Sequence, residues 1–307
     1  MKAKSFLTLL SFCLLFLMPL SLCAQEPVCG KCYKKKSNCP YHCNHPKCKT
    51  CGKFCGAKVN PCPYGGKHPK PKVVFDGRDK TYTANGVSFT MKPVAGGVFT
   101  VGATSEQQDP FDNEKPTHTV TLSNYYIGET EVTQELWAAV MGNNPSYFTG
   151  NMQQPVECVS WNECQTFIQK LNRLTGAKFR LPTEAEWEFA ARGGCNSRGY
   201  QYSGSSNLGD VAWYEDNSST TTHPVKTRSP NELGIYDMSG NVWEWCQDWS
   251  SSYSSSSQTN PTGPSTGSRR VCRGGSWINE ACYCRSANRG RNTPDGGYGY
   301  LGLRLAL

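Results

Sequence analysis

After its first 24 residues, the 307-residue sequence lacks any long apolar run. A helix that crosses a bilayer needs about 20 consecutive apolar residues, so we expect no later segment to span a membrane. The single apolar run, Phe6–Leu22, follows Lys2 and Lys4 and ends at Leu22-Cys23-Ala24. This layout is typical of a secretory signal peptide that is cleaved after Ala24. The sequence therefore predicts an exported protein, located in a periplasm, on the cell surface or in the medium.

The same segment has a second interpretation, in which Cys23 is the lipidated residue of a lipoprotein. Leu22 weakens it, because a small residue is expected immediately before a lipidated cysteine. We therefore favour a signal peptide over residues 1–24, without a lipid anchor.

Acidic residues are absent between Pro27 and Phe75, a stretch that contains eleven lysines. The net charge of the whole chain is only +8, so its basic character belongs to this stretch and not to the remainder. A nucleic-acid partner is not expected for an exported protein. A basic surface that faces an anionic envelope or polysaccharide fits the pattern, and so does a lysine-rich surface that is merely solvated.

Cysteine is abundant, with 17 residues in the chain, and eight of them lie between Cys29 and Cys62. We assign residues 25–64 to a small Cys-rich module. Its CxxC steps, with His42 and His45 nearby, could ligate zinc. Disulfides are the favoured alternative, because a segment this short cannot build an adequate apolar core and an exported chain meets an oxidising compartment.

Residues 65–84 are polar and turn-rich, which predicts a linker. We assign residues 85–307 to one domain. Within it, the Ser/Thr/Pro/Gly-rich stretch Ser250–Ser268 is too polar to be core and predicts a long surface loop.

The domain is predicted to be α+β, with little regular structure for its size. Alternating or short apolar runs predict strands at Val87–Met91, Val98–Val101, Val120–Leu122 and Tyr125–Ile127. Three helices are predicted from capping residues and glycine stops: one from Thr133 to Gly142, one from Ser160 to Gly176 and one after Thr183.

Five segments carry a resemblance to a known family: Glu114–Leu122, Arg180–Glu188, Asn231–Trp245, Val271–Trp277 and Leu301–Arg304. In this order and spacing they resemble the formylglycine-generating enzyme, or sulfatase-modifying factor, family over about residues 82–307. The resemblance implies a variant of the C-type lectin fold, which is held together by loops, bound calcium and a few disulfides.

The resemblance also implies a calcium site. Calcium takes six or more oxygen ligands from carboxylates, amides and carbonyls. The positions that match the family's site are Asp237 and Glu244, through their side chains, and Gly240 and Val242, through their backbone carbonyls.

A second calcium site of the family falls at Asp210, Val211 and Asn217, where the loop differs in length. Related branches of the family bind iron through clustered histidines. Iron is not expected here, because the domain contains only His118 and His223, far apart in the sequence. We expect His118 to be a packed or hydrogen-bonded residue.

Active members of the family use oxygen to convert a sulfatase cysteine, in a Cys-x-Pro-x-Arg context, to formylglycine. Their Cys-x4-Cys pair binds Cu(I), which soft thiolate ligands suit. The matching segment here, Gly274–Pro294, is shorter. The first catalytic cysteine has no counterpart near Ile278 or Asn279, and the second would fall at Ala281, beside Cys282.

The remaining candidates for a catalytic pair are Cys282 and Cys284. In an extended strand, these two side chains would point to the same side, roughly 6–7 Å apart. That spacing is close to what a thiolate–metal–thiolate bridge needs. The same residues are consistent with structural or unpaired thiols, or with disulfides to other segments.

Two functions follow as hypotheses. The first is an exported binding or scaffold module without the family's oxidase activity, with a protein or an envelope glycan as its partner. The alternative is a copper- and oxygen-dependent oxidase that acts on a sulfatase. The sequence leaves enzymatic activity open, since function resides in the site and not in the fold.

Overall fold

The computed structural model describes residues 75–307. The predicted signal peptide, the Cys-rich module with its zinc or disulfide alternatives, and the first half of the predicted linker lie outside the described residues. Within residues 75–307, no helix is both long enough and apolar enough to cross a membrane.

The strands of this part of the chain are β1 (Lys80–Ala84), β2 (Val87–Val94), β3 (Val98–Val101), β4 (His118–Thr121), β5 (Tyr125–Gly128), β6 (Trp243–Trp249), β7 (Gln258–Thr259), β8 (Arg270–Arg273), β9 (Arg289–Asn292) and β10 (Leu301–Leu303). The four predicted strands correspond to β2–β5 and are confirmed. β1 lies inside the segment that we predicted to be a linker, because it pairs antiparallel with β2 from Lys80 to Ala84.

The helices are α1 (Gln134–Met141), α2 (Trp161–Thr175), α3 (Glu184–Ala191) and α4 (Leu208–Val211). The first three begin at the predicted caps, where the side chains of Thr133, Ser160 and Thr183 each accept a hydrogen bond from a backbone N–H of the first turn. α1 and α2 end at left-handed glycines, as predicted. The mixed, loop-rich α+β architecture is therefore confirmed.

Three small sheets organise these elements. β1, β2 and β5 form an antiparallel sheet, and β3, β4 and β7 form a second, mixed sheet. β7 lies in the predicted surface loop and adds to β4 in parallel. The third sheet has the order β10-β6-β8-β9, in which β10 and β6 are parallel.

Two apolar clusters fill the space between the sheets and the helices. One surrounds Trp137, Phe167 and Trp245, and the other surrounds Trp187 and Phe189. The tryptophans of the family motifs are therefore mainly packing residues, and burial of large aromatic side chains supplies much of the stability of so irregular a fold.

Buried ion pairs attach the C-terminal part of the chain to these clusters. Four of them join an arginine to a glutamate that precedes it in the sequence: Arg273–Glu188, Arg285–Glu114, Arg289–Glu184 and Arg304–Glu244. All eight side chains are at most 9% exposed. Buried charges of this kind persist only when they are paired and hydrogen-bonded.

Candidate functional site

The segment after Gly274 is the place where the resemblance implies a departure from the active members of the family. Residues Ala281–Cys284 form a short 3-10 turn, closed by a hydrogen bond from the Tyr283 N–H to the Glu280 carbonyl. The extended geometry expected for the two cysteines is therefore wrong, because a turn does not place alternate side chains on one side. Neither thiol is in a disulfide.

The two thiols lie in different surroundings. Cys284 is fully buried and packs on Gly275, where a Cβ would come within 2.7 Å of the Cys284 Sγ. Cys282 is partly exposed, and its thiol lies 3.9 Å from the Glu280 carboxylate. Gly275, where φ is +72°, has no side chain and therefore leaves room for the buried sulfur of Cys284.

Both thiols are held in their protonated form. Burial raises the pKa of Cys284 to about 12. Burial and the nearby Glu280 charge also raise the pKa of Cys282. Because the thiolate is the form that binds metals and attacks electrophiles, these surroundings disfavour the chemistry that a copper pair requires.

Other free thiols in residues 75–307 are equally unsuited. Cys164, Cys246 and Cys272 are buried, and burial raises the pKa of Cys158 to about 11. Within the same residues, no group of three or more His, Cys, Asp or Glu side chains is arranged to hold a metal ion.

Exposed aromatic side chains line the segment that contains these cysteines. We call residues 277–300 the aromatic segment. Tyr283 and Tyr298 are each 37% exposed, and the aliphatic Ile278 beside them is 50% exposed. Tyr298 stacks on Tyr300, with ring centroids 5.3 Å apart.

Two neighbouring loops extend this surface. Phe111 stacks on Tyr283, with a centroid separation of 5.5 Å. Tyr147, which is 75% exposed, packs edge-on against Phe148, and Phe148 packs edge-on against Trp277. The aromatic segment therefore carries three of the eight large apolar side chains that are exposed in residues 75–307, contacts a fourth directly and reaches a fifth, Tyr147, through Phe148.

Hydrogen bonds to the scaffold fix the backbone and the inward side chains of the aromatic segment. The Trp277 indole donates to the Gly299 carbonyl at 2.9 Å. The Trp243 indole donates to the Asn279 carboxamide oxygen at 2.8 Å. The aromatic rings are therefore presented on an ordered backbone, which lowers the entropy cost of binding through them.

The residues of the first predicted calcium site lie at a buried cluster of carboxylates. Asp237 and Glu244 are at most 3% exposed, and sequence reasoning missed a third acid beside them, Glu131. Both oxygens of Glu244 accept hydrogen bonds from Arg304, and one also accepts from the Trp187 indole. Among residues 75–307, Arg304 is the one arginine that pairs with this cluster, so three carboxylates are balanced by a single guanidinium.

Burial and the neighbouring carboxylates raise the pKa values of two groups in this cluster. Burial raises the pKa of Asp237 to about 6 and also raises the pKa of Glu131, with Asp237 and Glu244 adding to the effect on Glu131. One oxygen of Asp237 accepts from the Lys226 N–H, whereas the other is buried without a partner. The side chains of residues 75–307 alone are not arranged to hold a metal ion here, so a cation that satisfies this oxygen would also need backbone carbonyls such as those of Gly240 and Val242.

The second predicted calcium set is arranged less favourably. Asp210 and Val211 lie in α4, and the Asp210 carboxylate accepts hydrogen bonds from Ser205 and Asn207. The Asn217 carboxamide instead bonds to the backbone of residues 212 and 214. The carboxylate and the carboxamide therefore serve two different turns.

Comparisons with known proteins found a matching family model and several similar proteins. A family model described as the sulfatase-modifying factor enzyme 1-like domain matches residues 84–307. The chain is 34% identical over 279 residues to the formylglycine-generating enzyme of Streptomyces coelicolor, which covers 69% of this chain and 87% of that protein. It is also 35% identical over 236 residues to the chaperone protein LppX of Paenibacillus barcinonensis, covering 61% of this chain and 81% of that protein.

A solved structure gives the same result for the fold. The Treponema denticola variable protein 1 superposes with a TM-score of 0.68 and is 39% identical. The match covers 74% of this chain and 98% of that one.

Proposed function

Since the chain belongs to the sulfatase-modifying factor family, also called the formylglycine-generating enzyme family, we propose that this member is an exported binding module without formylglycine-generating activity. The proposal rests on the replacement of the catalytic cysteine pair that the family resemblance implies, together with the conformation of the remaining cysteines. A 3-10 turn with one buried and one partly exposed thiol occupies the segment where the enzymes hold copper.

The electrostatics of these thiols support the proposal. A copper-binding pair needs two thiolates at neutral pH, and both Cys282 and Cys284 have pKa values raised above that of an ordinary cysteine. Glu280 adds a negative charge beside Cys282, which opposes ionisation further.

The surface at the same place supports binding through the aromatic segment. Tyrosine and tryptophan dominate the energetic centres of protein interfaces, because they bury a large rigid area and still offer a hydrogen-bonding group. Tyr147, Tyr283 and Tyr298 are exposed here on a fixed backbone. We therefore infer a protein partner, with an envelope glycan as the alternative.

The first experiment tests for oxidase activity. The purified protein is incubated with Cu(I), oxygen and a Cys-x-Pro-x-Arg peptide, and mass spectrometry monitors the mass loss that marks formylglycine. The Streptomyces coelicolor enzyme serves as the positive control. We expect no conversion. Turnover that disappears in Cys282→Ser or Cys284→Ser, and persists in the control Cys158→Ser, would establish the alternative function, a sulfatase-directed oxidase.

The second experiment tests binding through the aromatic segment. Tagged protein is used to capture partners from envelope extracts of the source cells, and Tyr147→Ala and Tyr298→Ala are compared with Val98→Ala and Leu174→Ala. The control side chains are 66% and 47% exposed and lie outside the aromatic segment. We expect a protein that is lost only with the tyrosine variants. Binding that survives protease treatment of the extract would identify a glycan instead.

We also propose that calcium stabilises the domain at Asp237, Gly240, Val242 and Glu244. Two features support this site: the partnerless buried oxygen of Asp237 and the excess of buried carboxylates over cations. The bidentate pairing of Glu244 with Arg304 leaves Asp237 as the ligand with a free oxygen. When bound, the ion would neutralise the cluster and hold the turn before β6.

A further inference from the structure

A cavity of about 330 Å³ lies away from the predicted cysteine and calcium residues. Its walls come from the start of β4, the start of α3 and the end of β6, and residues 251–264 of the long loop cover it. Three ionisable side chains of its lining, His118, Glu184 and Asp248, are at most 7% exposed. The volume falls within the range of small-molecule sites.

Asp248 is the carboxylate of this cavity that has no cationic partner within residues 75–307. One of its oxygens accepts a hydrogen bond from the Glu184 N–H at 3.0 Å. Within residues 75–307, no Lys, Arg or His nitrogen forms an ion pair with it, whereas the neighbouring Glu184 is paired twice over with Arg289 at 2.7 and 2.6 Å. The lining therefore holds two carboxylates and one guanidinium, and a buried carboxylate without a cation is costly.

His118 supplies a second unmet polar group. Its ring packs edge-on against Tyr253, with centroids 5.0 Å apart, and its Nδ1 is buried without a hydrogen-bond partner. The cavity is also lined by hydroxyl and amide side chains, each of which can accept a hydrogen bond, namely Ser251, Ser252, Ser254, Gln258 and Thr262. An unpartnered imidazole nitrogen, an unpaired carboxylate and hydroxyl oxygens together match a ligand that donates several hydrogen bonds and carries positive charge.

The aromatic residues of the lining indicate which kind of ammonium group the cavity would bind. Arg270 stacks on the Trp249 ring at 3.5 Å, and Arg289 stacks on the Tyr253 ring at 3.9 Å. Cages for quaternary ammonium groups use open aromatic faces, and here each ring already carries a cation on one face. Recognition by hydrogen bonds, and so a primary ammonium group, fits the cavity better.

We propose that this cavity binds the primary ammonium group of a small molecule or an extended side chain, with Asp248 as its counter-ion and His118 Nδ1 as a further acceptor. Although Arg289 belongs to both the cavity lining and the aromatic segment, the site uses neither the exposed rings of that segment nor the oxidase chemistry, so it does not depend on the function proposed above. It would give the domain a small-ligand site at the long loop, in addition to its binding surface.

The test is a ligand-observed NMR titration of the full-length protein with n-butylammonium and with its neutral analogue 1-butanol. We expect saturable binding of butylammonium, and binding at least tenfold weaker for 1-butanol. Tetramethylammonium should bind more weakly than butylammonium, because it has no N–H donor. Equal binding of the ammonium and the alcohol, or stronger binding of tetramethylammonium, would overturn the proposal without any variant.

Variants then locate the site. Asp248→Asn keeps the shape of the side chain and its acceptor for the Glu184 N–H, and should weaken butylammonium binding at least tenfold. Asp216→Asn removes an exposed carboxylate elsewhere and should leave binding unchanged. Unaltered binding in a folded Asp248→Asn protein would overturn the proposal. Binding of a neutral hexose in place of butylammonium would also overturn it, in favour of a polyol site.

Discussion

The guanidinium of Arg285 donates two hydrogen bonds of 2.6 Å to the carboxylate of Glu114, although 171 residues separate the two in the sequence. Both side chains are 0% exposed. Asn288 donates a further hydrogen bond to the same carboxylate. The pair therefore attaches the turn that contains Cys282 and Cys284 to the loop before β4.

Replacing Glu114 by glutamine should destabilise the protein strongly. The substitution preserves the shape of the side chain but leaves the Arg285 charge buried without a counter-ion, and breaking a buried pair in this way costs about 3–5 kcal/mol. The free energy of unfolding, measured by urea titration, checks this. Lys115→Met is the matched control, because Lys115 pairs with Asp112 on the exposed surface next to Glu114. A loss in Glu114→Gln no larger than that of the control would contradict the prediction.

Asp248 should make the stability of the protein depend on pH. Burial and the charge of Glu184 raise its pKa from 3.8 to about 7, with Glu186 adding to and Arg289 opposing the shift. The folded state thus binds the proton more tightly, so this group's stabilising contribution is complete below about pH 4 and is lost as the pH rises to about 7. Each unit of pKa corresponds to about 1.4 kcal/mol.

The measurement is the difference in unfolding free energy between wild type and Asp248→Asn across that pH range. Relative to wild type, the variant should gain stability as the pH rises, because asparagine does not ionise. A difference that stays constant from pH 4 to pH 8 would show that Asp248 does not titrate in this way.

Calcium should reverse the stability order of wild type and Asp237→Asn. In chelator, the variant should be at least as stable as wild type, because it removes a buried charge, and asparagine tolerates the left-handed φ of 58° at this position. In excess calcium, wild type should gain about 2.7 kcal/mol at a hundredfold excess over the dissociation constant, and the variant should gain less.

Thermal unfolding of wild type and Asp237→Asn, with and without calcium, tests this predicted order of stability. Asp210→Asn separates the two predicted sites, since only a working second site would make it reduce the gain. If calcium stabilises wild type and Asp237→Asn equally, the ion binds elsewhere.

Alkylation should distinguish the two cysteines of the turn. In the native protein, iodoacetamide should modify Cys282 and Cys158, which are partly exposed, and should leave Cys284 unmodified until the protein unfolds. The rate at Cys282 should be low at pH 7 and rise at alkaline pH, because its pKa is raised. Peptide mapping by mass spectrometry gives the modified sites. Rapid modification of native Cys284 at pH 7 would contradict its burial and favour an active thiol pair.

Local signals in the sequence were sufficient for the helices. The capping boxes at Ser160 and Thr183 use residues three apart, so their hydrogen bonds are decided within one turn. The same holds for β2 to β5, in which short apolar runs bounded by turns mark each strand.

The strands of the third sheet could not be predicted in this way. β6 is buried along most of its length, so it lacks the alternation that marks a half-buried strand. β8 ends in Arg273, a charged residue that is buried because Glu188, 85 residues away, accepts its hydrogen bond. A local pattern contains no information about such a partner.

The candidate sites, too, could be predicted only in part from the sequence. The family resemblance supplied Asp237 and Glu244, whereas Glu131 joins them only through the fold. It accepts a hydrogen bond from Asn241, 110 residues further along the chain. The conformation of the Cys282 turn was also beyond the sequence pattern, because a Cys-x-Cys spacing fits both a strand and a turn.

The four buried arginine–glutamate pairs impose an order on the folding of the domain. Glu114, Glu184, Glu188 and Glu244 all precede their partners in the chain, so each must wait for residues 273–304 before its charge can be buried. Without those residues, each of these carboxylates would be costly to bury, because a buried charge needs a partner. A truncation that removes residues 273–304 would therefore leave all four carboxylates without their partners.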